Sequence, residues 1–422
     1  MIRRIGIQGY KSFTNLDVRL GRLSVILGPN ASGKSNLLDA VYLLSRAGTC
    51  HTLKEAFEGH RGLPLESFYY GDTSYEDLLK RDRIALTLEA DVELSPDVCR
   101  RVSETVLEKR KGVDAGTAPR EFVTERFLRY RLVIEALPQT GYVRVADERL
   151  AAIRRDGREK RSRKPFIEKV GERIRLRMEG QARPTDHEIG LDYTLVSTSL
   201  YEPHYPHITA FRTELQNWMV YYLEPRTLMR EEVPLAAVTA LGPRGENLAA
   251  LLNLIKVQTG TAFDALNLAL RRVLPIDARI DTEITKEGRV GLRLWENGRW
   301  YSGRLISEGT LRLIGLLLAI HPASRSTLVA YEEPENGVHP VRLKIMADLL
   351  RNAAAGQDKQ ILVTTHSPIF PEYFDNSELF VSRKDAGGTV ICPFSHAPGE
   401  LFRRSNIEHA LEDRILRGDL GG

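Results

Sequence analysis

The 422-residue chain is 42% hydrophobic and 27% charged, the composition of a globular protein long enough for two or three lobes with cores of their own. It has no run of about 18 apolar residues and no apolar N-terminal segment of signal-peptide length, so we expect neither a membrane span nor a membrane partner. The three cysteines (Cys50, Cys99 and Cys392) are scattered, which argues against a disulfide framework or a zinc site. These features predict a cytoplasmic protein.

Residues 1–95 have the pattern of the first half of a nucleotide-binding domain. Apolar residues alternate over 2–7 and recur over 16–20, which predicts two strands separated by a loop at 9–13. A buried strand is predicted over 22–27, directly before a glycine-rich segment. The order strand, glycine-rich loop and helix is the context that a phosphate-binding loop requires.

The glycine-rich segment fits the spacing G-x-x-x-x-G-K-[ST], which is the phosphate-binding loop of nucleoside triphosphatases. Its two glycines allow a tight turn that directs backbone N–H groups at phosphate oxygens, and the lysine places a positive charge on the β- and γ-phosphates. The serine hydroxyl is a ligand for Mg²⁺, and the N-terminus of the following helix adds partial positive charge. The residues predicted to bind ATP here are Gly28, Pro29, Asn30, Ala31, Ser32, Gly33, Lys34, Ser35 and Asn36.

Residues 96–275 form the middle of the chain. The pattern predicts a helix from residue 96 to 112, an antiparallel sheet with hairpins over 121–199, and mostly helical structure over 203–275. A group of aromatic residues lies at helical spacing, which favours core packing over base stacking: Trp218, Tyr221 and Tyr222.

A basic segment, residues 154–164, interrupts the predicted sheet. Between Arg149 and Arg183 there are thirteen Lys or Arg residues against five acidic ones, although the net charge of the chain is only +4. The segment lacks apolar residues, which predicts an exposed or mobile loop. It is either a solvated surface loop or a site for sequence-independent contacts with DNA phosphates.

His204 and His207 suggest a metal-binding pair. No third ligand is evident nearby in the sequence, so we favour a structural role for both histidines.

Residues 276–422 return to an α/β pattern after a predicted hairpin at 279–284 and 290–295. Ser307, Glu308 and Gly309 open a long apolar helix that extends through residue 319. A serine and a glycine at a helix N-terminus suit an anion, although a simple helix cap has the same pattern.

Two predicted buried strands end in polar side chains. Glu332 and Glu333 end the first, and strand alternation sends their side chains to opposite faces. One carboxylate can hold Mg²⁺ through water while the other polarises the attacking water. His366 ends the second strand, where it can hydrogen-bond the γ-phosphate or that water. Ligands of α/β sheets bind at the carboxyl ends of the strands, which favours function for these residues.

The order of these motifs resembles the ATP-binding-cassette (ABC) ATPases of the RecF/SMC-like type, and within them the overcoming-lysogenization-defect-like AAA15/AAA21 group. The resemblance covers roughly residues 1–45 and 300–370. It implies an α/β fold: a bilobed ABC-type ATPase head of the P-loop class, with an antiparallel β lobe and a helical insertion. We see no heptad run long enough for a long coiled coil.

The resemblance also implies a role for each motif. The N-terminal half of the head would span 1–95, the insertion 96–275 and the C-terminal half 276–422. Lys34, Glu333 and His366 would be catalytic. The remaining implied roles are Walker A at Gly28 to Ser35, a basic residue near the nucleotide at Lys11, the signature at Ser307-Glu308-Gly309, Mg²⁺ binding at Ser35 and Glu332, and a D-loop at Glu335 to Gly337.

The sequence departs from the family pattern at two places. The usual Walker B aspartate is Glu332, whose longer side chain still supplies an anion. The glutamine of the Q-loop has no clear equivalent, and Gln139 and Gln181 are the candidates. The signature also lacks the Gly-Gly-Gln ending of transporter cassettes, which argues against a transport subunit.

In that family two heads dimerise head to tail around two ATP molecules, and hydrolysis releases them. This implies ATP and Mg²⁺ as cofactors and a second copy of the chain as partner. We consider three roles: a DNA-sensing defence ATPase that controls a separately encoded nuclease or toxin, a RecF-like repair ATPase, and a nucleotide-gated scaffold with slow turnover.

Overall fold

The computed structural model describes residues 1–71, 73–110, 121–180, 183–238, 240–274, 277–322, 324–356, 359–385 and 387–396. The Q-loop candidate Gln181 lies outside these ranges. None of the helices within them combines the length and the hydrophobicity that crossing a membrane requires.

Strands and short to medium helices make up the described residues. The strands are β1 (Ile2–Tyr10), β2 (Phe13–Arg19), β3 (Leu23–Leu27), β4 (Ile84–Glu93), β5 (Phe127–Leu137), β6 (Tyr142–Ala152), β7 (Ile167–Val170), β8 (Arg173–Leu176), β9 (Thr185–Glu188), β10 (Trp218–Tyr221), β11 (Val233–Pro234), β12 (Arg279–Ile284), β13 (Arg289–Glu296), β14 (Arg299–Ser302), β15 (Leu328–Glu332), β16 (Gln360–Thr365), β17 (Leu379–Asp385) and β18 (Gly388–Pro393). The helices are α1 (Lys34–Ala47), α2 (Leu53–Phe57), α3 (Tyr75–Leu79), α4 (Pro96–Lys109), α5 (Pro206–Gln216), α6 (Leu248–Gln258), α7 (Gly260–Val273), α8 (Glu308–Ala319) and α9 (Leu343–Gly356).

The first of two compact units comprises Met1–Gly21, Ala31–Trp218 and Ser382–Ile391. Its sheet has the strand order β2-β1-β4-β5-β6-β7-β8-β9, and every neighbouring pair is antiparallel. Alternate residues of β4 are buried, as the period of two of a strand with one covered face requires. The antiparallel sheet predicted over 121–199 is therefore confirmed.

The loop predicted at residues 9–13 is wrong. Strand β1 extends to Tyr10 and β2 begins at Phe13, and these two residues pair across a turn of only two residues. Gly9 and Lys11 adopt positive φ angles of 66° and 46°, which reverse the chain more sharply than the predicted loop. Lys11 consequently lies at the tip of a tight hairpin.

The second unit comprises Arg22–Asn30, Met219–Val381 and the described residues from Cys392. Here β15, β16, β3 and β17 lie side by side in this order and run parallel. All five residues of β3 and all six of β16 are buried, as expected for parallel strands covered on both faces. A separate antiparallel sheet contains β12 and β13, so the predicted hairpin is confirmed. Both units combine segments distant in sequence, and the division at residues 95 and 275 remains a proposal.

The helical spacing of Trp218, Tyr221 and Tyr222 does not reflect a helix. Trp218 to Tyr221 form strand β10, although Trp218 and Tyr221 are buried as predicted. Aromatic and β-branched residues favour a pleated strand, and that preference prevails in this Trp-Met-Val-Tyr run. The region predicted to be mostly helical therefore contains two strands, β10 and β11, between α5 and α6.

A buried carboxyl joins the sheet of the first unit to a neighbouring turn. Glu148 on β6 is fully buried and accepts hydrogen bonds from the backbone N–H groups of Leu195 (2.6 Å) and Val196 (3.0 Å) and from the hydroxyl of Tyr130 (3.0 Å). Burial outweighs these bonds and raises the pKa of Glu148 to about 7. The adjacent Thr194 hydroxyl donates to the carbonyl oxygen of Ala47, the last residue of α1 (2.8 Å).

We predict that Glu148 makes stability pH-dependent. Its ordinary pKa of 4.5 applies to the unfolded chain, so between pH 4.5 and 7 the folded protein keeps a proton that the unfolded chain releases. Stability should fall as pH rises through this interval, by up to about 3 kcal/mol. Urea unfolding of wild type and Glu148→Gln at several pH values measures this, because the variant lacks this titration. A difference between the two proteins that stays constant from pH 4.5 to 7.5 would contradict it.

Candidate functional site

Three segments of the second unit converge at one edge of its parallel sheet. Gly28 to Asn30 follow β3, Glu332 ends β15 and is followed by Glu333, and His366 follows β16. Glu332 is in register with Thr364, and Thr365 is in register with Leu27, so these strands end at the same level. The parallel topology therefore brings together the start of the phosphate loop, both glutamates and the histidine.

Glu333 is the best-defined group at this edge. Its Oε1 lies 2.8 Å from Nδ1 of His366, and its Oε2 accepts a hydrogen bond of 2.8 Å from Nδ2 of Asn336. Its backbone has φ 48°, a left-handed conformation that non-glycine residues adopt rarely, and its N–H donates to the carbonyl oxygen of Thr364 at 3.0 Å. The side chain remains 24% exposed, so its carboxylate is oriented and still accessible.

The turn after Glu333 is tied to the end of β16. Glu335 is buried, and its Oε1 accepts a hydrogen bond of 2.5 Å from the Thr365 hydroxyl. Burial raises the pKa of Glu335. The Thr365 hydroxyl also accepts from the N–H of Ser367 at 3.0 Å. Glu335 therefore links the turn after β15 to the end of β16, close in sequence to Glu333 and His366.

The predicted signature segment lies at the start of α8. Ser307 is the N-cap: its Oγ accepts from the N–H of Thr310 (3.2 Å), and the residue is exposed. Gly309 contacts the turn that follows Glu333, because a Cβ at this position would lie 1.9 Å from the carbonyl oxygen of Gly337. Glu308 pairs with Arg226 at 2.8 Å. The glycine is therefore required for close approach of two backbones.

The rest of the phosphate loop belongs to the first unit. Ala31 and Gly33 have φ angles of 61° and 98°, and Gly33 is the N-cap of α1. The carbonyl oxygen of Ser32 accepts hydrogen bonds from the hydroxyls of Ser382 (2.9 Å) and Thr389 (3.1 Å). These bonds fix the loop in front of a helix that begins with Lys34.

The loop has features that fit a phosphate group. The Ser32 hydroxyl is buried and, among the described residues, finds no hydrogen-bond partner, so it is available to donate to a phosphate oxygen. Asn36 on the first turn of α1 donates to the Ser12 hydroxyl at 2.7 Å, which also accepts from Thr389. No group of three or more metal-ligating side chains occurs in the described ranges.

Lys11 lies beside the same helix. Its ammonium group donates to Asp39 on α1 at 2.6 Å and to the carbonyl oxygen of Arg61 at 3.1 Å, and the Arg61 guanidinium contacts the other oxygen of Asp39 at 3.1 Å. Burial lowers the pKa of Lys11. A recess of about 410 Å³ opens next to Lys11, Ser12 and Asn36 and reaches Tyr69 and Tyr70.

The basic segment 154–164 is partly engaged within the first unit. Lys160 pairs with Glu125 at 2.7 Å, and Arg163 pairs with Glu179 at 2.5 Å. Four other basic side chains are exposed and take part in no ion pair among the described residues: Arg154, Arg155, Arg161 and Lys164.

The structure places His207 in the interior, where it is 1% exposed. Its Nδ1 lies 2.7 Å from Glu179 and its Nε2 accepts from the N–H of Glu125 at 2.9 Å. Both ring nitrogens are thus engaged by protein groups. His204 contacts the ring of Tyr201 instead.

Several supporting residues were missed by sequence reasoning. Ser382 and Thr389 hold Ser32 from the far end of the chain, and single hydroxyl residues carry no pattern that would reveal this. Asp39 on the buried face of the predicted helix is a detectable signal, because a buried carboxylate needs a cationic partner. Asn336, three residues after Glu333, lay within the predicted D-loop but was given no role.

The sequence matches the family model described as "AAA domain, putative AbiEii toxin, Type IV TA system" over residues 23–96 and 209–370, more than half of the chain. The chain belongs to this family of AAA ATPases. The matched ranges contain the phosphate loop, the signature segment, both glutamates and His366. The unmatched stretch between them contains β5 to β9 of the antiparallel sheet. No curated protein matches the sequence.

Solved structures similar to this AAA-family chain include heads of SMC proteins. One, an SMC head bound to the C-terminal winged-helix domain of ScpA, has a TM-score of 0.54 and 12% identity, covering 93% of this chain and 97% of that chain. Another, the Smc head domain with an extended coiled coil bound to the C-terminal domain of ScpA from Pyrococcus furiosus, has a TM-score of 0.50 and 11% identity, covering 97% and 99%. The fold is therefore that of an ABC-type ATPase head, as predicted.

Replacing Gly309 tests the contact between the signature helix and the turn. Gly309→Ala should destabilise the protein by about 1–3 kcal/mol, because only backbone movement relieves the clash with the Gly337 carbonyl. Helix propensity alone would make the Gly309→Ala variant more stable than the wild type. Chemical unfolding midpoints measure the effect, with Gly356→Ala at the end of α9 as control because nothing lies within 4 Å of its Cβ position. Equal midpoints for both variants would contradict the contact.

Proposed function

We propose that this protein is a cytoplasmic ATP hydrolase. The observation that carries the proposal is the Glu333 carboxylate, placed after a parallel strand, accessible, and oriented by His366 and Asn336 at 2.8 Å each. A carboxylate in this position orients and polarises a water molecule for attack on a phosphoryl group. Membership in an AAA ATPase family supports this chemistry.

The remaining predicted residues have roles that follow from their chemistry. Lys34 and the backbone N–H groups of residues 28 and 30–36 bind the triphosphate, and Lys11 lies close to the nucleotide. Ser35 and Glu332 hold Mg²⁺, which neutralises charge on the β- and γ-phosphates when bound. His366 orients Glu333 through Nδ1, because a carboxylate only accepts hydrogen bonds, and this leaves Nε2 for the γ-phosphate.

A second copy of the chain completes the site in this proposal. Ser307 is exposed at the N-terminus of the twelve-residue helix α8, where the helix dipole and unpaired N–H groups attract an anion. The γ-phosphate held by Lys34 of the partner is that anion. The resemblance of the motif order to RecF/SMC-like ABC ATPases supports this arrangement, in which ATP joins two heads and hydrolysis separates them.

For the biological role, we propose a DNA-sensing ATPase of a defence system that controls a separately encoded nuclease or toxin. Two observations support it: the family description refers to a toxin of a toxin–antitoxin system, and exposed basic side chains in 154–164 suit the DNA backbone. A RecF-like repair ATPase shares the DNA dependence and lacks the effector. A nucleotide-gated scaffold has neither DNA binding nor rapid turnover.

Glu333→Gln is expected to trap an ATP-bound dimer. Loss of the catalytic carboxylate should lower the turnover number about 10²–10⁴-fold, while the residues that bind ATP stay intact. Phosphate release and molar mass in the presence of ATP and Mg²⁺ measure both effects. Lys34→Ala is the control, since it should lose ATP binding and remain monomeric. Wild-type hydrolysis by Glu333→Gln would overturn the assignment of Glu333, and wild-type ATP affinity of Lys34→Ala would overturn that of Lys34.

DNA binding is tested by replacing the exposed basic residues of the segment with glutamine. The combined variant Arg154→Gln, Arg155→Gln, Arg161→Gln and Lys164→Gln should bind duplex DNA more weakly and with a flatter salt dependence. Each lost phosphate contact reduces the slope of log K against log[salt] by about 0.9. Lys160 and Arg163 are left unchanged because their ion pairs are structural. As matched control, Arg271→Gln with Arg272→Gln on α7 should retain the wild-type slope. An unchanged slope in the fourfold variant would show that the segment does not contact DNA.

A further inference from the structure

The turn after β15 holds a side-chain amide directly against the Glu333 carboxylate. Nδ2 of Asn336 lies 2.8 Å from Oε2 of Glu333, and the backbone N–H of Asn336 donates to the Glu333 carbonyl oxygen at 3.2 Å. Asn336 is thus bonded to Glu333 through both its backbone N–H and its side-chain amide. Asn336 lies within the predicted D-loop, but that motif gives its side chain no function.

Hydrogen-bond chemistry determines which atom of the amide faces Glu333. An ionised carboxylate accepts hydrogen bonds and donates none, so only the NH₂ group of Asn336 forms a favourable contact there. His366 approaches the other carboxylate oxygen through Nδ1 at 2.8 Å. The two oxygens of Glu333 are therefore held by two different donors on opposite sides of the carboxyl group.

We propose that Asn336 is a positioning residue that fixes the orientation of the Glu333 carboxylate for water activation. The inference rests on the proposed ATPase function and extends it to a residue outside the predicted catalytic set. Glu333 has three side-chain torsions and is 24% exposed, so one donor on one oxygen leaves rotation about the carboxyl group open. A second donor on the other oxygen removes that freedom.

The turn that carries Asn336 is held in place from both ends. Glu335 before it accepts from the Thr365 hydroxyl at 2.5 Å, and Gly337 after it lies against Gly309 of the signature helix. Because both neighbours of Asn336 are held, its side-chain amide cannot move with the Glu333 carboxylate if that carboxylate rotates. Through Gly309, the orientation of the catalytic carboxylate is also connected to the segment proposed to contact the partner's ATP.

Two substitutions separate a donor role from a structural role. Asn336→Ala removes the donor, so kcat should fall about tenfold while the affinity for a fluorescent ATP analogue stays at the wild-type value. The KM for ATP should also stay at the wild-type value, so that the loss appears in kcat alone. Asn336→Asp preserves size and the tendency to form turns but places a carboxylate against Glu333, so its kcat should fall below that of Asn336→Ala.

Asn297→Asp is the matched control, since it adds the same charge at an exposed turn of the same unit, and it should behave as wild type. If Asn336→Asp retains wild-type kcat, the amide donor has no role and the inference is overturned. If Asn336→Ala fails to fold, Asn336→Asp alone decides between these outcomes. Failure of the proposed function is separate: it shows as wild-type hydrolysis by Glu333→Gln, whereas failure of this inference alone leaves Glu333→Gln slow and the Asn336 variants fast.

Discussion

The parallel pairing of β3 with β16, and of β16 with β15, is the constraint on which the candidate site depends. Val25 pairs with Val363 and Val329 with Ile361, so the three strands end at one level. The phosphate loop, the two glutamates and His366 lie at the ends of these strands, and therefore at the same edge of the sheet. This arrangement needs only strands of five or six residues that can be buried on both faces, as parallel strands are. Backbone hydrogen bonds between the strands fix the geometry, and the reactive side chains lie at the ends of the strands.

Elements that follow from local pattern were predictable. The apolar runs before Gly28, Glu332 and His366, the spacing of the phosphate loop and the β12–β13 hairpin all reflect periodicity or turn chemistry over a few residues. Contacts between distant segments were not. Nothing near Ser32 indicates that Ser382 and Thr389 bind its carbonyl oxygen, and the tip of the β1–β2 hairpin does not reveal that Lys11 reaches Asp39. The run from Trp218 to Tyr221 is a third case. Its apolar residues fit both the helical period and the strand period, and pairing with β15 determines that the run forms a strand.

Glu333 combines local backbone strain with several compensating bonds. A left-handed conformation costs a non-glycine residue about 1–2 kcal/mol. The N–H of Glu333 bonds to Thr364, its carbonyl oxygen accepts from Asn336, and its carboxylate accepts from two side chains. Glycine would adopt this φ of 48° without strain but has no carboxylate. Strain at this position is thus consistent with a requirement for a specific side chain in a specific direction, a pattern found at catalytic positions.

Charge on the antiparallel sheet shows why composition alone is a poor guide to DNA binding. Arginines on its strands pair across to carboxylates: Arg129 with Asp91 at 2.6 Å, and Arg131 with Asp147 at 2.5 Å. Such cross-strand pairs satisfy both partners and add little stability when exposed. They also cancel the local field that would attract a phosphate backbone. The excess of basic residues between 149 and 183 therefore overstates the cationic surface, since Arg149 and Lys160 are already engaged by Glu159 and Glu125. The exposed residues of 154–164 that lack such partners hold part of the charge that remains for a polyanion.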